Sequence, residues 1–248
     1  MMNQVKTPTE IANIRISGQM LAAVLRYLQD RVHPGITTRE LDRLASQELQ
    51  RLGGQPAFLG YQGFPAVICI SINDEVVHGI PGKRQLAEGD IVGLDFGVNY
   101  GGMITDGAVT VAVGHASPEA EVLLKATEEA LAKGIAQARE GAHLGDISHA
   151  IESRLRRDGL GVIEEMCGHG VGHEVHEDPL VLNYGKAGTG MRLKAGMTIA
   201  IEPMATLGSR EIYVAEDNWT IKTADGSLGA QFEHTVLITS TGAEILTR

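Results

Sequence analysis

Four acidic residues of this chain stand in apolar, strand-like stretches that a folded protein would bury. None of these stretches contains a lysine or an arginine that could pair with the acidic residue. Burying an unpaired carboxylate is very costly, so a fold that buries all four needs positive charge from another source. A glycine-rich stretch, CGHGVGH, adds a histidine. The sequence therefore predicts a metal site built from distant residues: Asp95 in IVGLDFGV, Asp106 in GGMITDGAVTV, His169, Glu202 in MTIAIEPM and Glu233 in AQFEHTVLIT.

The chemistry of this ligand set favours two divalent ions over one. Four carboxylates would over-neutralise a single divalent ion, whereas two ions roughly 3.5–4 Å apart can share bridging carboxylates and a water molecule. One imidazole with four carboxylates suits Mn²⁺, Fe²⁺ or Co²⁺ better than a structural zinc site built from thiolates. We therefore expect two divalent metal ions, with Mn, Fe, Co or Zn as the candidates.

Composition limits the class of protein. The chain has 248 residues, 43% hydrophobic and 21% charged, as in an ordinary globular enzyme. Cys69 and Cys167 are too few for a disulfide framework. The net charge of −10 argues against a general nucleic-acid binder. The apolar stretch 20–28 is interrupted by Arg26 and does not read as a signal peptide, so we expect a cytoplasmic protein without a membrane span.

The first part of the chain predicts two helices. A capping box at residues 7–10 starts the first helix, and a break at residues 33–35 ends it. A second capping box, Thr37 with Glu40, starts the next helix, which the glycine pair at residues 53–54 ends. These helices should cover a sheet.

The next part predicts strands. Residues 66–71, 91–98 and 103–113 are apolar runs, and NYGG between the last two is typical of a hairpin turn. Asp95 and Asp106 should then face each other on adjacent antiparallel strands.

A second pair of helices and a second group of strands repeat this order. Ser117 with Pro118 starts one helix, and Asp146 caps the next. The expected strands cover residues 197–201, 211–223 as a two-strand passage, and 230–240. The repeated order predicts an α+β fold of two similar halves that share a sheet.

The segment CGHGVGHEVHEDP carries three histidines. Its order does not match the HExxH of helical zinc proteases, and its glycines do not fit a phosphate-binding loop. Closely spaced glycines let the backbone bring His169 to the metals, while His176, seven residues further on, can face a substrate. For His173 we expect an exposed loop position.

Together these features resemble the methionine aminopeptidases. The five ligand-type residues occur in the family's order, with the motifs HGIP at residues 78–81, GHG at 168–170, IEP at 201–203 and FEHT at 232–235. The resemblance spans nearly the whole chain. Only 33 positions separate His169 from Glu202, so the helical insertion of the type II enzymes has no room, and the chain resembles type I.

The resemblance implies a pita-bread fold, in which two pseudo-symmetric α+β halves surround a curved antiparallel sheet with the metals at its centre. It implies one catalytic domain over residues 1–248, with a helical segment of about residues 1–55 packed on it. Asp95 would chelate one metal, Asp106 and Glu233 would bridge both, and His169 and Glu202 would complete the other shell.

The family's reaction removes the N-terminal methionine of nascent proteins and peptides, by attack of a metal-bridging water on the first peptide carbonyl. Glu202 would also act as the proton shuttle. His176 would steady the carbonyl oxygen, and His78 would contact the next peptide nitrogen. By itself, His78 at a strand end would more often be a structural turn residue.

The resemblance also implies an apolar pocket for the methionine side chain. Its candidates are Tyr61, Phe64, Cys69 and Trp219, with Phe58 and Val175 near the rim or wall. Core packing is a fair alternative for each residue singly. Two positions depart from the family pattern: Phe58 stands where a smaller residue is common, and Val175 where a larger one is often found. We expect methionine to stay preferred, with a small second residue.

Two alternatives remain open at this point. A prolidase, aminopeptidase P or creatinase relative would share the fold, but those enzymes usually carry a large extra N-terminal domain. A metal-free binding protein could keep the fold and lose catalysis, although such relatives typically lose ligands. As partners we expect peptides and nascent chains with an N-terminal methionine and a transient contact with the ribosome, in a monomer without a membrane or specific nucleic-acid partner.

Overall fold

The computed structural model describes residues 5–248, so the first four residues of the expected N-terminal segment lie outside the described part. Its α-helices are α1 (Pro8–Gln29), α2 (Thr38–Leu52), α3 (Pro118–Ile135) and α4 (Leu144–Arg157). A short 3₁₀ turn covers Tyr61–Gly63. Within residues 5–248, none of the helices is both long enough and apolar enough to cross a membrane.

The strands of the first half are β1 (Gln55–Pro56), β2 (Ile68–Ile72), β3 (Glu75–Val77), β4 (Ile91–Tyr100) and β5 (Met103–Ala112). Those of the second half are β6 (Gly161–Val162), β7 (Cys167–Gly170), β8 (Glu177–Leu182), β9 (Thr198–Ile201), β10 (Met204–Thr206), β11 (Ile212–Val214), β12 (Ile221–Thr223), β13 (Gly229–Gln231), β14 (Glu233–Ile238) and β15 (Ala243–Ile245). The main sheet has the order β1-β4-β5-β14-β9-β7-β8, with β2 beside β4 and β15 beside β14.

The caps of the N-terminal helices explain where they begin. Thr7 accepts a hydrogen bond from the backbone N–H of Glu10, whose carboxylate accepts one from the backbone N–H of Thr7, so the first capping box is confirmed. At α2, the Thr37 hydroxyl accepts from the backbone N–H of Glu40, but the Glu40 carboxylate does not accept from Thr37 in return, so only half of the second capping box is formed. Gly53, with a left-handed φ of 85°, ends α2 as predicted.

The hairpin β4–β5 is confirmed, but its register differs from the prediction. Asp106 lies opposite Gly97, and Asp95 lies opposite Ala108. The two carboxylates are therefore diagonal neighbours, and the expectation that they directly face each other was wrong. They still share one face of the sheet, since residues two apart on a strand point to the same side.

The second pair of helices follows the predicted order with one correction. Ser117 caps α3 as expected. Asp146 does not cap α4, because the helix begins earlier, at Leu144, and His143 is the cap residue. The Asp146 carboxylate instead accepts a hydrogen bond from the backbone N–H of His143, as the third residue of a capping box does.

The strands of the second half differ most from the sequence prediction. The passage over residues 211–223 forms β11 and β12 as expected. The run 230–240 is not one strand: it changes sheets at Phe232, so that β13 pairs with β10, while β14 pairs with β5 and β9. The strands β7 and β8, in the glycine-rich segment, were not predicted.

The helices cover one face of the main sheet and leave the other for the acidic residues. Under α1 and α2, the core includes Val92, Leu94 and Phe96 of β4, which alternate with Asp95 along the strand. Under α3 and α4, it includes alternate residues of β9 and β14, among them Ile199 and Val236. Because side chains alternate between faces, the carboxylates point away from both helical layers.

Candidate metal centre

Five ligand-type side chains meet on the open face of the sheet. Asp95 lies on β4, Asp106 on β5, His169 on β7 and Glu233 at the start of β14, and Glu202 follows the last residue of β9. Ligand atoms of Asp106, His169 and Glu233 all lie within 4.8 Å of one another. His169 Nε2 is 3.5 Å from Glu202 Oε1 and 3.9 Å from Asp106 Oδ2. Residues far apart in sequence thus form one compact group.

The group is buried and only partly satisfied by hydrogen bonds. Asp95, Asp106, Glu202 and Glu233 are each at most 8% exposed. Asp95 Oδ1 and Glu233 Oε1 have no hydrogen-bond partner within residues 5–248. Buried acceptors without a donor are costly, so these oxygens fit a cation as their partner.

Electrostatics supports the same fit. Burial raises the pKa of Asp95 to about 7. Burial, followed by repulsion from the neighbouring carboxylates, raises the pKa of Asp106, Glu202 and Glu233 well above the usual range. Four ionised carboxylates at this spacing repel one another, so they can be ionised together only with compensating positive charge. The donor set, one nitrogen and several carboxylate oxygens, suits divalent metal ions.

His169 presents a free nitrogen to the carboxylates. Its Nδ1 lies 2.9 Å from the carbonyl oxygen of Gly170, which can only accept, so Nδ1 carries the proton. Nε2 is then unprotonated and carries a free lone pair, which is the state that metal ligation needs. Burial lowers the pKa of His169 to about 3, so the ring is neutral near pH 7.

Hydrogen bonds behind the group hold its backbone and side chains. The Thr235 hydroxyl accepts from the backbone N–H of Asp106 and donates to the backbone carbonyl of the same residue. The Gln231 amide donates to Glu202 Oε2, and the Asn183 amide donates to the Glu202 carbonyl. Sequence reasoning did not identify these three residues as supports, although Thr235 and Gln231 lie in or beside the FEHT motif.

All thirteen residues that the sequence singled out line one cavity of about 1140 Å³. In that cavity, two histidines flank the carboxylates. His176 Nδ1 lies 2.9 Å from the Tyr61 hydroxyl, and the His176 ring centre is 4.4 Å from that of His169. His78 has a left-handed φ of 61°, which is uncommon outside glycine. Backbone strain of this kind concentrates at functional sites. It therefore favours a functional role for His78 over that of a structural turn residue.

An apolar cluster closes one side of the cavity. Phe58, Phe64, Cys69 and Val175 are each at most 8% exposed, and Tyr61 and Trp219 pack against them. The Phe64 and Trp219 rings meet edge to face, with centres 5.1 Å apart. The ring of Phe58 lies over Gly97, where a Cβ atom would come within 2.5 Å of Phe58 Cε1. The aromatic residues predicted for the pocket are therefore in contact around one space.

One histidine is placed differently from the prediction. His173 lies in a loop as expected, but it is half-buried, and its Nε2 lies 2.7 Å from Glu10 Oε1, so the expectation that it is exposed was wrong. The partner stands 163 positions away in the chain, and no local pattern indicated the pair.

Comparison with known proteins agrees with this geometry. The profile of metallopeptidase family M24 matches residues 12–240. Methionine aminopeptidase 1 of Bacillus subtilis is 46% identical over 243 residues, which cover 98% of each chain. The crystal structure of methionine aminopeptidase from Thermotoga maritima superposes with a TM-score of 0.98 at 44% identity, over 100% of both chains.

A more distant structural neighbour shares the fold at low sequence identity. The prolidase from Pyrococcus furiosus has a TM-score of 0.81 at 24% identity, and the match covers 98% of this chain but 65% of the prolidase. The pita-bread fold expected from the sequence is confirmed by both kinds of neighbour. By its family profile and its full-length relatives, the chain belongs to the methionine aminopeptidases of metallopeptidase family M24.

Proposed function

We propose that this chain is a metal-dependent aminopeptidase that removes the N-terminal methionine from peptides and nascent proteins, with a preference for a small second residue. One observation carries the proposal: the buried ligand-type group, two accessible imidazoles and an aromatic pocket line the same cavity. Full-length relatives named as methionine aminopeptidases support the substrate class. Residues 1–248 form a single catalytic domain in this proposal.

The metal-binding residues are Asp95, Asp106, His169, Glu202 and Glu233, which would hold two divalent ions. When bound, such ions polarise a carbonyl group and lower the pKa of water, so that a nucleophile is available near neutral pH. The orphaned oxygens of Asp95 and Glu233 support this assignment, since a cation would satisfy them.

Glu202 is the proton carrier in this proposal. Its Oε2 accepts from Gln231, while Oε1 points toward His169 and the cavity. A carboxylate whose pKa is raised by burial can take a proton from the attacking water and give it to the leaving amine. The buried hydrogen bonds to its side chain and backbone keep it in place during the transfer.

The two accessible histidines act on the peptide bond. With the Tyr61 hydroxyl donating to Nδ1, the proton of His176 stands on Nε2 and can be donated to the carbonyl oxygen as charge develops there. Burial lowers the pKa of His78 to about 4, so its ring is neutral near pH 7 and suits a contact with the peptide nitrogen after the first residue.

The side chain of the first residue enters the apolar cluster. Phe58, Phe64, Cys69, Trp219 and Val175 offer a dry, aromatic-rich surface, and Tyr61 borders it next to His176. An unbranched thioether fits such a surface, because sulfur makes favourable contacts with aromatic rings. This supports methionine as the preferred first residue.

We further propose that the enzyme works in the cytoplasm as a monomer and contacts the ribosome transiently, since its substrates are newly made chains. Light scattering on the purified chain should give the mass of one copy, and a dimer mass would overturn the monomer. Co-sedimentation with ribosomes at low salt tests the contact, and absence from the ribosome pellet would overturn it.

The test of the proposed reaction is the release of the first residue from three peptides, with metal titrated into stripped protein. We expect release of methionine from Met-Ala-Ser, slower release from Met-Leu-Ser and almost none from Ala-Pro-Ser. Faster release of leucine or alanine than of methionine from matched peptides would overturn the specificity. Preferential cleavage of Ala-Pro-Ser would instead indicate an aminopeptidase P activity on this fold.

A further inference from the structure

A buried ion pair joins the beginning of the described chain to the loop that carries His176. We call residues 5–10 the N-terminal strap and residues 170–177 the histidine loop. Lys6 Nζ lies 2.7 Å from Glu177 Oε2, and the two side chains are 0% and 3% exposed. The partners are 171 positions apart in sequence, so this contact arises only in the folded chain.

The Glu177 carboxylate also organises the histidine loop itself. Its Oε1 accepts hydrogen bonds from the backbone N–H groups of His173 and Glu174, while Oε2 accepts from Lys6. One carboxylate therefore holds the strap and the turn that precedes His176. Loss of these bonds would free the turn that leads directly into His176.

Further contacts bind the strap to the same loop. Glu10 Oε1 lies 2.7 Å from His173 Nε2. The Lys6 side chain passes so close to Gly172 that a Cβ atom there would lie 2.4 Å from Lys6 Cε. The backbone N–H of Lys6 donates to the carbonyl of Gly196 over 2.8 Å, which anchors the strap to the rest of the second half.

Burying a lysine with a glutamate is a poor way to gain stability, because desolvation of both charges offsets their attraction. Glu177 lines the cavity beside His176, whereas Lys6 does not, so an effect of Lys6 on a substrate would pass through other residues. We propose that Lys6 and Glu177 are positioning residues, which hold the histidine loop so that the His176 imidazole stays between Tyr61 and the metal-binding group. This inference rests on the role proposed above for His176.

The variants Lys6→Met and Glu177→Gln remove one charge and keep the side-chain length. Each leaves the partner buried without its counter-charge, so the histidine loop should shift and kcat for Met-Ala-Ser should fall about 10- to 100-fold with little change in KM. Lys6→Arg keeps the charge and should recover most of kcat. If Lys6→Met does not fold, the kcat of Glu177→Gln and of Lys6→Arg can still be measured and compared.

The matched control is Arg15→Met. Arg15, on α1 directly after the strap, forms an ion pair with Glu244 of β15, but these side chains are 46% and 39% exposed. Exposed pairs contribute little, so this variant should change kcat less than about twofold. An equal loss of kcat in Arg15→Met and Lys6→Met would overturn the proposal.

A cycle with His176→Ala separates positioning from general damage. If Lys6 acts through His176, then adding Lys6→Met to His176→Ala should lower kcat less than about twofold further. If Lys6→Met lowers kcat as much in the His176→Ala background as it does alone, the proposal is overturned. If His176→Ala alone keeps normal turnover, the role proposed for His176 fails, and the spectroscopic test below still decides where the loop stands.

The readout that does not depend on turnover uses metal-free protein with ¹⁵N-labelled histidine. The ring signals of His176, assigned by their loss in His176→Asn, should shift or broaden in Lys6→Met and return in Lys6→Arg. They should stay in place in Arg15→Met. Unchanged His176 signals in a folded Lys6→Met protein would overturn the inference, whatever its kcat.

Discussion

The proposed metal-binding group and the proposed methionine pocket lie in the same cavity, but they are built in different ways. The ligand-type residues come from neighbouring strands of one sheet or directly follow one, which restricts where each carboxylate can point. The pocket combines the 3₁₀ turn with loop residues such as Phe58, Val175 and Trp219 from both halves, and of its predicted residues Cys69 alone lies on a strand, β2. Under the proposed function, sheet geometry would fix the reaction chemistry, while the specificity would depend mainly on loops that can change more freely.

The two regions should also differ in how strongly a substitution affects activity. The ionisation of a buried carboxylate depends on the charges of its neighbours, so replacing one carboxylate alters the ionisation of the whole group. A pocket residue such as Phe58 contributes mainly apolar contact, whose loss is graded. Substitutions in the metal-binding group should thus act on turnover by orders of magnitude, and those in the pocket on the choice of substrate by small factors.

The largest effect should come from Glu202→Gln. The change removes the proposed proton carrier but keeps the shape, so kcat for Met-Ala-Ser should fall about 10²- to 10⁴-fold. Peptide affinity, measured by calorimetry, should fall much less. Glu244→Gln, at an exposed position, is the control. If Glu202→Gln turns over as fast as the control, Glu202 is not the proton carrier.

A smaller effect should follow from Thr235→Val. This change removes both hydrogen bonds that hold the backbone of Asp106, so the affinity for Mn²⁺ should fall about 10- to 100-fold. Thr235→Ser keeps the hydroxyl and should bind Mn²⁺ almost normally, as should the exposed Thr241→Val. Calorimetric titration of stripped protein measures all three. Equal affinities would show that the strand holds Asp106 without this hydroxyl.

The metal-free protein should lose stability as the pH rises above 6.5. Burial raises the pKa of Asp95 from 3.8 to about 7, and burial also raises the pKa of Asp106, Glu202 and Glu233 well above the usual range. The folded state then holds protons that the unfolded chain has released, so raising the pH favours unfolding. Below pH 6.5 the buried histidines act in the opposite direction, since burial lowers the pKa of His169 to about 3 and only the unfolded chain protonates there.

Thermal unfolding in a window from pH 6.5 up through the Asp95 pKa of about 7 measures this effect. With saturating Mn²⁺ the slope should flatten, because ligation keeps the carboxylates ionised in the folded state. A metal-free protein whose unfolding temperature rises across this window would mean that the four carboxylates are already ionised without metal.

The smallest effect belongs to the pocket. Phe58→Ala should lower kcat/KM for Met-Ala-Ser about 10-fold through lost apolar contact. A peptide that begins with the larger ethionine should lose less, because the space over Gly97 becomes available to the extra methylene. Leu59→Ala, at a position that is 54% exposed, should change neither. Equal losses for both peptides would assign Phe58 to core packing.

Several features could be read from the sequence because their signals are local. Capping residues such as Thr7 and Ser117 marked helix starts, and charges inside apolar runs marked Asp95 and Glu233. The break at Phe232 gave no local signal, because an apolar run looks the same whether it stays in one sheet or changes sheets. The strand β7 (CGHG) was hidden by its glycines, and β8 (EDPLVL) by its acidic start and by Pro179, since glycine and proline both weaken the strand pattern.

Other features depend on contacts that no local pattern contains. The pairing of Lys6 with Glu177 and the support of Asp106 by Thr235 join residues 171 and 129 positions apart. The diagonal register of Asp95 and Asp106 depended on where the hairpin turned, and a shift by a single residue would have reversed the faces of one strand.

The most direct measurement of the central claim is a titration of Mn²⁺ or Co²⁺ into stripped protein, followed by calorimetry and by Met-Ala-Ser turnover in the same samples. We expect saturation at two ions per chain, turnover that appears only as ions bind, and loss of both in Asp106→Asn. Full turnover by protein shown by elemental analysis to be metal-free, or an unchanged titration in Asp106→Asn, would contradict the account.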